Sequence, residues 1–192
     1  MNKKQNLIDA AIRLFADQSF EGTSTIQLSK AAGVTEPLIY YHFDGKHDLF
    51  SHVLKLIFNQ YFNRLDDVDR ASDTEFEKIE RLIQFHMDMV QKFPREVYLI
   101  MSGCPAKFSD PDNICKKNLA KQREWLTQIL GGCLKKGIAA GEFKDVPVEW
   151  TVELLLALIV GLIRQQNLYH KNVKDIRDAA VEFCRRSLLI DG

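Results

Sequence analysis

Gly33 constrains this fold more than any other residue, because it separates two helix patterns that are each too short to stand alone. On its N-terminal side Ile26, Leu28, Ala31 and Ala32 can share an inward face, with Thr25 placed as the N-cap. The glycine supplies the left-handed backbone that ends that helix, and the next begins within two residues. Thr35 or Glu36 can cap this next pattern, and Glu36 is favoured because a residue ahead of proline avoids helical angles. Pro37 sits in the first turn, where a missing N–H removes no intrahelical bond. Ile39 and Phe43 form the inward face with Val34. Residues 24–43 therefore predict a helix-turn-helix.

An earlier pattern, Leu7, Ala11 and Leu14 beside Ile8, Ile12 and Phe15, predicts an amphipathic first helix ending near Gln18. Its apolar stripe needs the next two helices to cover it. The outward face of the third helix then carries Glu36, Pro37, Leu38, Tyr40, Tyr41 and His42. Solvated faces are built from Lys, Glu, Arg and Gln, so this surface predicts contact with a partner. A short helix presented in this way fits the major groove of double-stranded DNA. Charge alone does not argue for nucleic acid: the chain has 26 basic and 26 acidic residues. Its first 50 residues hold five Lys and Arg against six Asp and Glu. DNA binding has to rest on where a few donors are placed.

Base edges are read near the N-terminus of a recognition helix, which nominates Thr35, Glu36, Leu38 and Tyr40. A carboxylate at 36 can accept from a cytosine amino group, and Leu38 can meet a thymine methyl. Tyr41, His42 and Lys46 fall where they could donate to phosphates, Thr25 and Gln27 could reach backbone or bases, and Lys3 and Lys4 could reach phosphates from a mobile tail. The plainer alternatives are that Tyr40 and Tyr41 pack between domains and that Lys46 is a solvated helix start.

The spaced pattern Phe20-x-Gly22-x-x-Thr25, followed by Ala32-Gly33-Val34-Thr35-x-Pro37-x-Ile39-Tyr40-x-His42-Phe43-x-x-Lys46-x-x-Leu49, resembles the TetR family of bacterial transcription regulators over about the first quarter of the chain. The resemblance implies an all-α homodimer, with an N-terminal three-helix DNA-binding domain and a larger C-terminal helical domain that binds a small effector and dimerises. The acidic Glu36 departs from the neutral or basic residue that would be more comfortable near phosphates.

The expected division is a DNA-binding domain at 1–50 and an effector-binding and dimerisation domain at 51–192, with about nine helices in all. A long fourth helix from Lys46 carries Leu49, Phe50, Val53, Leu54, Ile57, Phe58, Tyr61 and Phe62. Asp73 or Thr74 caps a fifth that stops at Phe93-Pro94, and a sixth runs from Arg95 to about Cys104. The seventh covers Ile114 to Ala140, where Gly131-Gly132 could bend it, the eighth Val148 to about His170, and the ninth Val173 to Leu189. Because the eighth is apolar nearly all round, it should be buried on two sides. Ala157, Leu158, Gly161 and Leu162, with Ile176, Ala180 and Phe183 of the last helix, are the expected dimer contacts in a four-helix interface. The alternative is a monomer with a well-filled core.

Phe58, Phe62, Phe85, Met89, Tyr98, Met101, Phe108, Trp125, Leu155 and Ile159 offer apolar surface for an effector cavity. His86 and Gln166, with Arg123 and Gln165, could anchor its polar end. The same residues at helical spacing would also serve as plain core.

The remaining features exclude more than they suggest. Cys104, Cys115, Cys133 and Cys184 form no Cys-x-x-Cys pair and have no His at zinc spacing, so free thiols are expected, with neither metal nor other cofactor. The longest strongly apolar run, Leu154 to Ile163, falls short of the ~20 residues of a membrane helix, and no signal peptide opens the chain, which predicts a cytoplasmic protein with no membrane partner. Cys104 and His86 alone make no nucleophile signature, and no glycine-rich phosphate loop is present, so an enzyme is not expected. The chain reads as a ligand-responsive dimeric repressor of a palindromic operator. A helical protein-interaction module, or an activator with the same DNA docking, is the alternative.

Overall fold

The computed structural model describes residues 2–69, 74–101, 114–169 and 173–190. Nine helices occupy them: α1 (Lys3–Gln18), α2 (Thr25–Ala32), α3 (Glu36–His42), α4 (Lys46–Asp69), α5 (Glu75–Lys92), α6 (Pro94–Met101), α7 (Ile114–Ala139), α8 (Val148–Tyr169) and α9 (Val173–Leu188). No strand forms among these residues, and an isolated bridge pairs Phe143 with Leu189. The all-α expectation holds. Contacts divide the chain into two compact units, Met1–Tyr61 with Arg95–Leu119, and Phe62–Pro94 with Ala120–Gly192.

In the first unit, Asn2 caps α1 by accepting from Lys4 N–H at 3.0 Å. Lys3 and Lys4 thus belong to the first helical turn and not to the tail expected for them, because the asparagine side chain satisfies an otherwise orphaned donor. Leu7, Ala11 and Phe15 are buried one turn apart with Ile8 beside them, while Ile12 and Leu14 flank that stripe half-buried. Phe15, Phe20 and Phe50 form an aromatic cluster with centroids 5.0–5.7 Å apart, Phe50 standing edge-on to Phe15. Arg95 of α6 forks onto Asp17 at 3.1 and 3.3 Å. Both side chains are about half exposed, so this pair adds at most about 1 kcal/mol.

The second unit is built on α5, which packs against α8 and α9. Thr74 caps α5 and forms a reciprocal box with Glu77, selecting Thr74 from the two expected caps. Phe76, Ile79, Leu82, Ile83, His86, Met87 and Val90 make its buried face. The connection between α7 and α8 carries Glu142, whose carboxylate accepts from Phe76 N–H at 2.8 Å and Glu75 N–H at 3.1 Å. The same connection holds the C-terminal end of the described chain through Lys144 N–H to Leu188 O at 2.8 Å and Ile190 N–H to Glu142 O at 3.2 Å. Helix α7 runs unbroken through Gly131-Gly132.

Candidate nucleic-acid interface

The helix-turn-helix forms as a pair of short helices, each with its own start signal. Ser24, and not the expected Thr25, caps α2: its hydroxyl accepts from Gln27 N–H at 3.2 Å, and the Gln27 side chain returns to Ser24 N–H at 2.8 Å. Both residues carry a hydroxyl, but only Ser24 stands three before a glutamine that can complete the box. Gly33 adopts φ 64°, ψ 38°, and Lys30 O and Ser29 O receive N–H groups from Gly33 and Val34 at 3.2 and 2.9 Å. That left-handed residue closes α2 and starts the turn. Thr35 caps α3 through extended backbone, placing Glu36 first in the helix and Pro37 second. This corrects the expectation that Glu36 would be the cap: Glu36 is helical despite the proline after it, and Pro37 falls in the first turn, where its missing N–H costs no intrahelical bond.

Burial divides the two helices more sharply than periodicity does. Leu28, Ser29 and Ala32 of α2 are buried, whereas Ile26 is 53% exposed and Ala31 is also exposed, correcting their expected inward placement. An eight-residue helix has room for one inward strip, and 28, 29 and 32 fill it. In α3, Ile39 is fully buried and Phe43 follows it inward. Tyr40 and Tyr41 are 59% and 80% exposed, so neither is core. Thr35 and Pro37 are exposed, Leu38, Glu36 and His42 half-buried, and the Tyr41 and His42 rings meet edge to face at 4.8 Å. With Ile26, these side chains give the domain an aromatic and apolar outer surface.

Three of the polar candidates, Thr25, Lys46 and Lys4, are already engaged within the domain. Thr25 donates from Oγ1 to Glu36 Oε1 at 2.5 Å, linking α2 to α3 across the turn. Lys46 places Nζ 2.9 Å from Phe20 O, 2.8 Å from Thr23 O and 4.3 Å from the Phe20 ring centroid, which uses two of its three N–H donors on the turn between α1 and α2. Lys4 lies over the Phe43 ring at 5.3 Å, next to His52, whose ring is 5.2 Å from Phe43. Burial, then the charge of Lys4, lowers the His52 pKa. Ser24 and Lys30, exposed at the two ends of α2, are further polar groups that the sequence reading passed over; the Ser24-x-x-Gln27 spacing was the available signal for the first.

The effector candidates scatter. In the first unit Phe58 is buried, Met101 half-buried and Tyr98 46% exposed. In the second, His86, Met89, Leu155 and Ile159 are buried, and Phe62, Phe85, Trp125 and Gln166 half-buried. Phe85 and Met89 line a groove of about 350 Å³ with Arg64, Asp88, Lys92 and Phe93, while Leu155 lines a different one of about 390 Å³ between α8 and α9. Arg123 is paired with Glu153 at 2.6 Å, Gln165 is exposed, and Phe108 and Cys104 lie outside the described residues. Of the dimer candidates, Leu162 and Ala180 turn into the unit's own core at 6% exposure each, since each lies on the inward strip of its helix. Ala157 and Phe183 are exposed, and Leu158, Gly161 and Ile176 half-buried. Trp150 and Leu154 are 67% and 71% exposed on α8, apolar residues that the reading missed because a helix greasy all round shows no preferred outer face.

Comparison with known proteins places this architecture. Residues 7–53 match the family described as bacterial regulatory proteins, tetR family. IcaR of Staphylococcus aureus strain Newman, the HTH-type negative transcriptional regulator of the biofilm operon icaADBC, is 27% identical over 107 residues, 55% of this chain and 57% of IcaR. The chain thus matches little more than half of that relative's length. AcrR of Shigella flexneri, an HTH-type transcriptional regulator, is 47% identical over 53 residues, 28% of this chain and 25% of AcrR. The crystal structure of AibR in complex with isovaleryl coenzyme A and operator DNA superposes with a TM-score of 0.75 over 95% of this chain and 97% of AibR, a likeness of fold at 15% identity. Residues 7–53 thus match the helix-turn-helix domain of the tetR family of bacterial regulatory proteins, on a helical body whose fold is like that of AibR.

Proposed function

We propose that the protein is a DNA-binding transcriptional regulator, a homodimeric repressor that leaves a palindromic operator when a small, largely apolar effector binds. The observation that carries this reading is the outer face of α3, where Tyr40 and Tyr41 stand open on a domain that carries no excess of positive charge. Solvent does not reward two tyrosines in adjacent exposed positions, and a groove of base edges and phosphates does. Thr35, Glu36, Leu38 and Tyr40 take the bases, with Tyr41, His42, Gln27 and the first turn of α1 beside the backbone. Repression is supported by the negative role named for IcaR, and a response to a small molecule by the isovaleryl coenzyme A named as a ligand of AibR. The groove beside Phe85 and Met89 is the candidate effector seat. Dimerisation through α8 and α9 supplies the second half-site, since one helix-turn-helix reads only one. Such a protein works in the cytoplasm, where its DNA is; no described helix is long and apolar enough to cross a membrane.

Effector and operator are then linked: the effector weakens DNA binding only as far as it prefers the conformation that DNA does not, and DNA weakens effector binding by the same factor. Titrating fluorescent duplexes from the DNA upstream of this gene and its neighbours, against random duplex at one salt concentration, tests the reading. Specific duplex should bind at least about a thousandfold more tightly. Equal affinity for both would sink it.

A further inference from the structure

We infer that Thr25 and Glu36 act as one base-specifying pair, in which Thr25 holds the Glu36 carboxylate to accept from the exocyclic amino group of a cytosine in the major groove. The inference deepens the DNA-binding reading and rests on it. Each residue is the first of its helix, Thr25 of α2 and Glu36 of α3, so the 2.5 Å bond between them ties the two starts together across the Gly33 turn. A hydroxyl donating to a carboxylate makes a short, charge-assisted bond. Glu36 is half-buried and held by this hydroxyl, on a residue that would otherwise sweep three free torsions at a helix start.

The bond uses Oε1 and leaves the lone pairs of Oε2 for a ligand. An ionised carboxylate only accepts, which sorts the bases. Guanine offers N7 and O6 and thymine offers O4, all acceptors that repel it, while adenine sets its N6 amino group beside the N7 lone pair. Cytosine N4 is the remaining donor and meets the carboxylate without an adjacent acceptor on its own ring. Thr25 has one hydroxyl proton, and Glu36 has it, so Thr25 is a positioning residue and not a phosphate donor. The negative charge also disfavours close approach to phosphates in the wrong register, so the pair trades non-specific affinity for selectivity.

The test enriches duplexes from a random-sequence library with the full-length protein, then measures Kd at one salt concentration on the enriched duplex and all its single-base-pair variants. Wild type should show one symmetric position in each half-site where cytosine is preferred about tenfold. Glu36→Ala should flatten that position alone, and Glu36→Gln, whose amide both donates and accepts, should move its preference to adenine. Thr25→Val should reduce the cytosine preference about threefold and Thr25→Ser should keep it, with circular dichroism melts showing all four variants folded. A cytosine preference that survives Glu36→Ala overturns the pair, and one undiminished in Thr25→Val overturns the positioning role. A library from which wild type enriches nothing overturns the regulator reading instead.

Discussion

The ammonium of Lys46 spends two donors on Phe20 O and Thr23 O, closing the turn between α1 and α2, and covers the Phe20 ring with its charge. Removing it leaves two partly buried carbonyls without their donor, which should cost about 1–3 kcal/mol. Lys46→Met, which keeps most of the stem, should therefore lower the urea midpoint of the domain. Its effect on DNA separates two roles for the charge: a direct phosphate contact would reduce the slope of log K against log salt by about 0.9. The expected result is lower stability with an unchanged slope. His86 is the second telling residue. Its ring is 3% exposed, and Nδ1 lies 2.7 Å from Leu82 O, so that nitrogen carries the proton. Burial pushes its pKa down to about 4, against the weaker upward pull of the Leu82 carbonyl. The unfolded chain then binds a proton near pH 6.5 that the folded one refuses until about pH 4, so stability is lost as pH falls through that window and levels off below it. The loss approaches about 3 kcal/mol. Subtracting urea curves of His86→Gln from wild type across pH 4–7 should isolate it, and a difference independent of pH would refute the assignment. Neither residue's part was legible in sequence, because the partners of Lys46 lie 23 and 26 residues upstream and His86 declares its burial only once α5 has neighbours on its inward face.

At the scale of the element, most of the architecture could be read directly. Helical spacing, Thr74 as a cap and the break at Phe93-Pro94 located the helices to within a few residues, since these signals act within one turn of chain, while the caps Asn2 and Ser24 went unread. What escaped was contact between elements. Glu142 caps α5 from 66 and 67 residues away, and no pattern near either end announces it. Its carboxylate takes the N–H groups of Glu75 and Phe76 at the positive end of the helix, and its own carbonyl accepts from Ile190 N–H. Glu142→Ala should therefore loosen two places together. Global stability should fall by about 1–2 kcal/mol, as for other lost helix caps. Amide exchange should quicken both in the first turn of α5 and at Lys144 and Ile190, whose bonds depend on the same connection. Faster exchange at α5 alone would mean that the connection holds its shape without the cap.

For the whole molecule the deciding question is what covers the open side of the second unit. Trp150, Leu154 and Phe183 are each about two-thirds exposed, and Leu154 and Phe183 wall an apolar groove of about 390 Å³ together with Leu155, Leu158, Cys184 and Leu188. Cys184 at the groove's base is a buried free thiol whose pKa burial raises to about 11, so it behaves as an apolar wall and not as a nucleophile. The symmetric solution is a second copy of α8 and α9, each burying what the other exposes. Leu154→Glu places a charge at the middle of that surface while altering nothing in the unit's own core, because the side chain is already 71% exposed. Sedimentation should then report wild type as the proposed dimer and the variant as a monomer at the same concentration, with the circular dichroism spectrum unchanged. DNA binding should respond in kind. A dimer engages its second half-site at a high effective concentration, so the monomer should lose about a hundredfold or more in operator affinity and keep its affinity for an isolated half-site. If Leu154→Glu sediments as wild type, α8 and α9 are not the surface through which the proposed dimer forms. If it is monomeric and still binds the full operator as tightly, the half-sites are read independently, and any effector acting through the dimer could not control them.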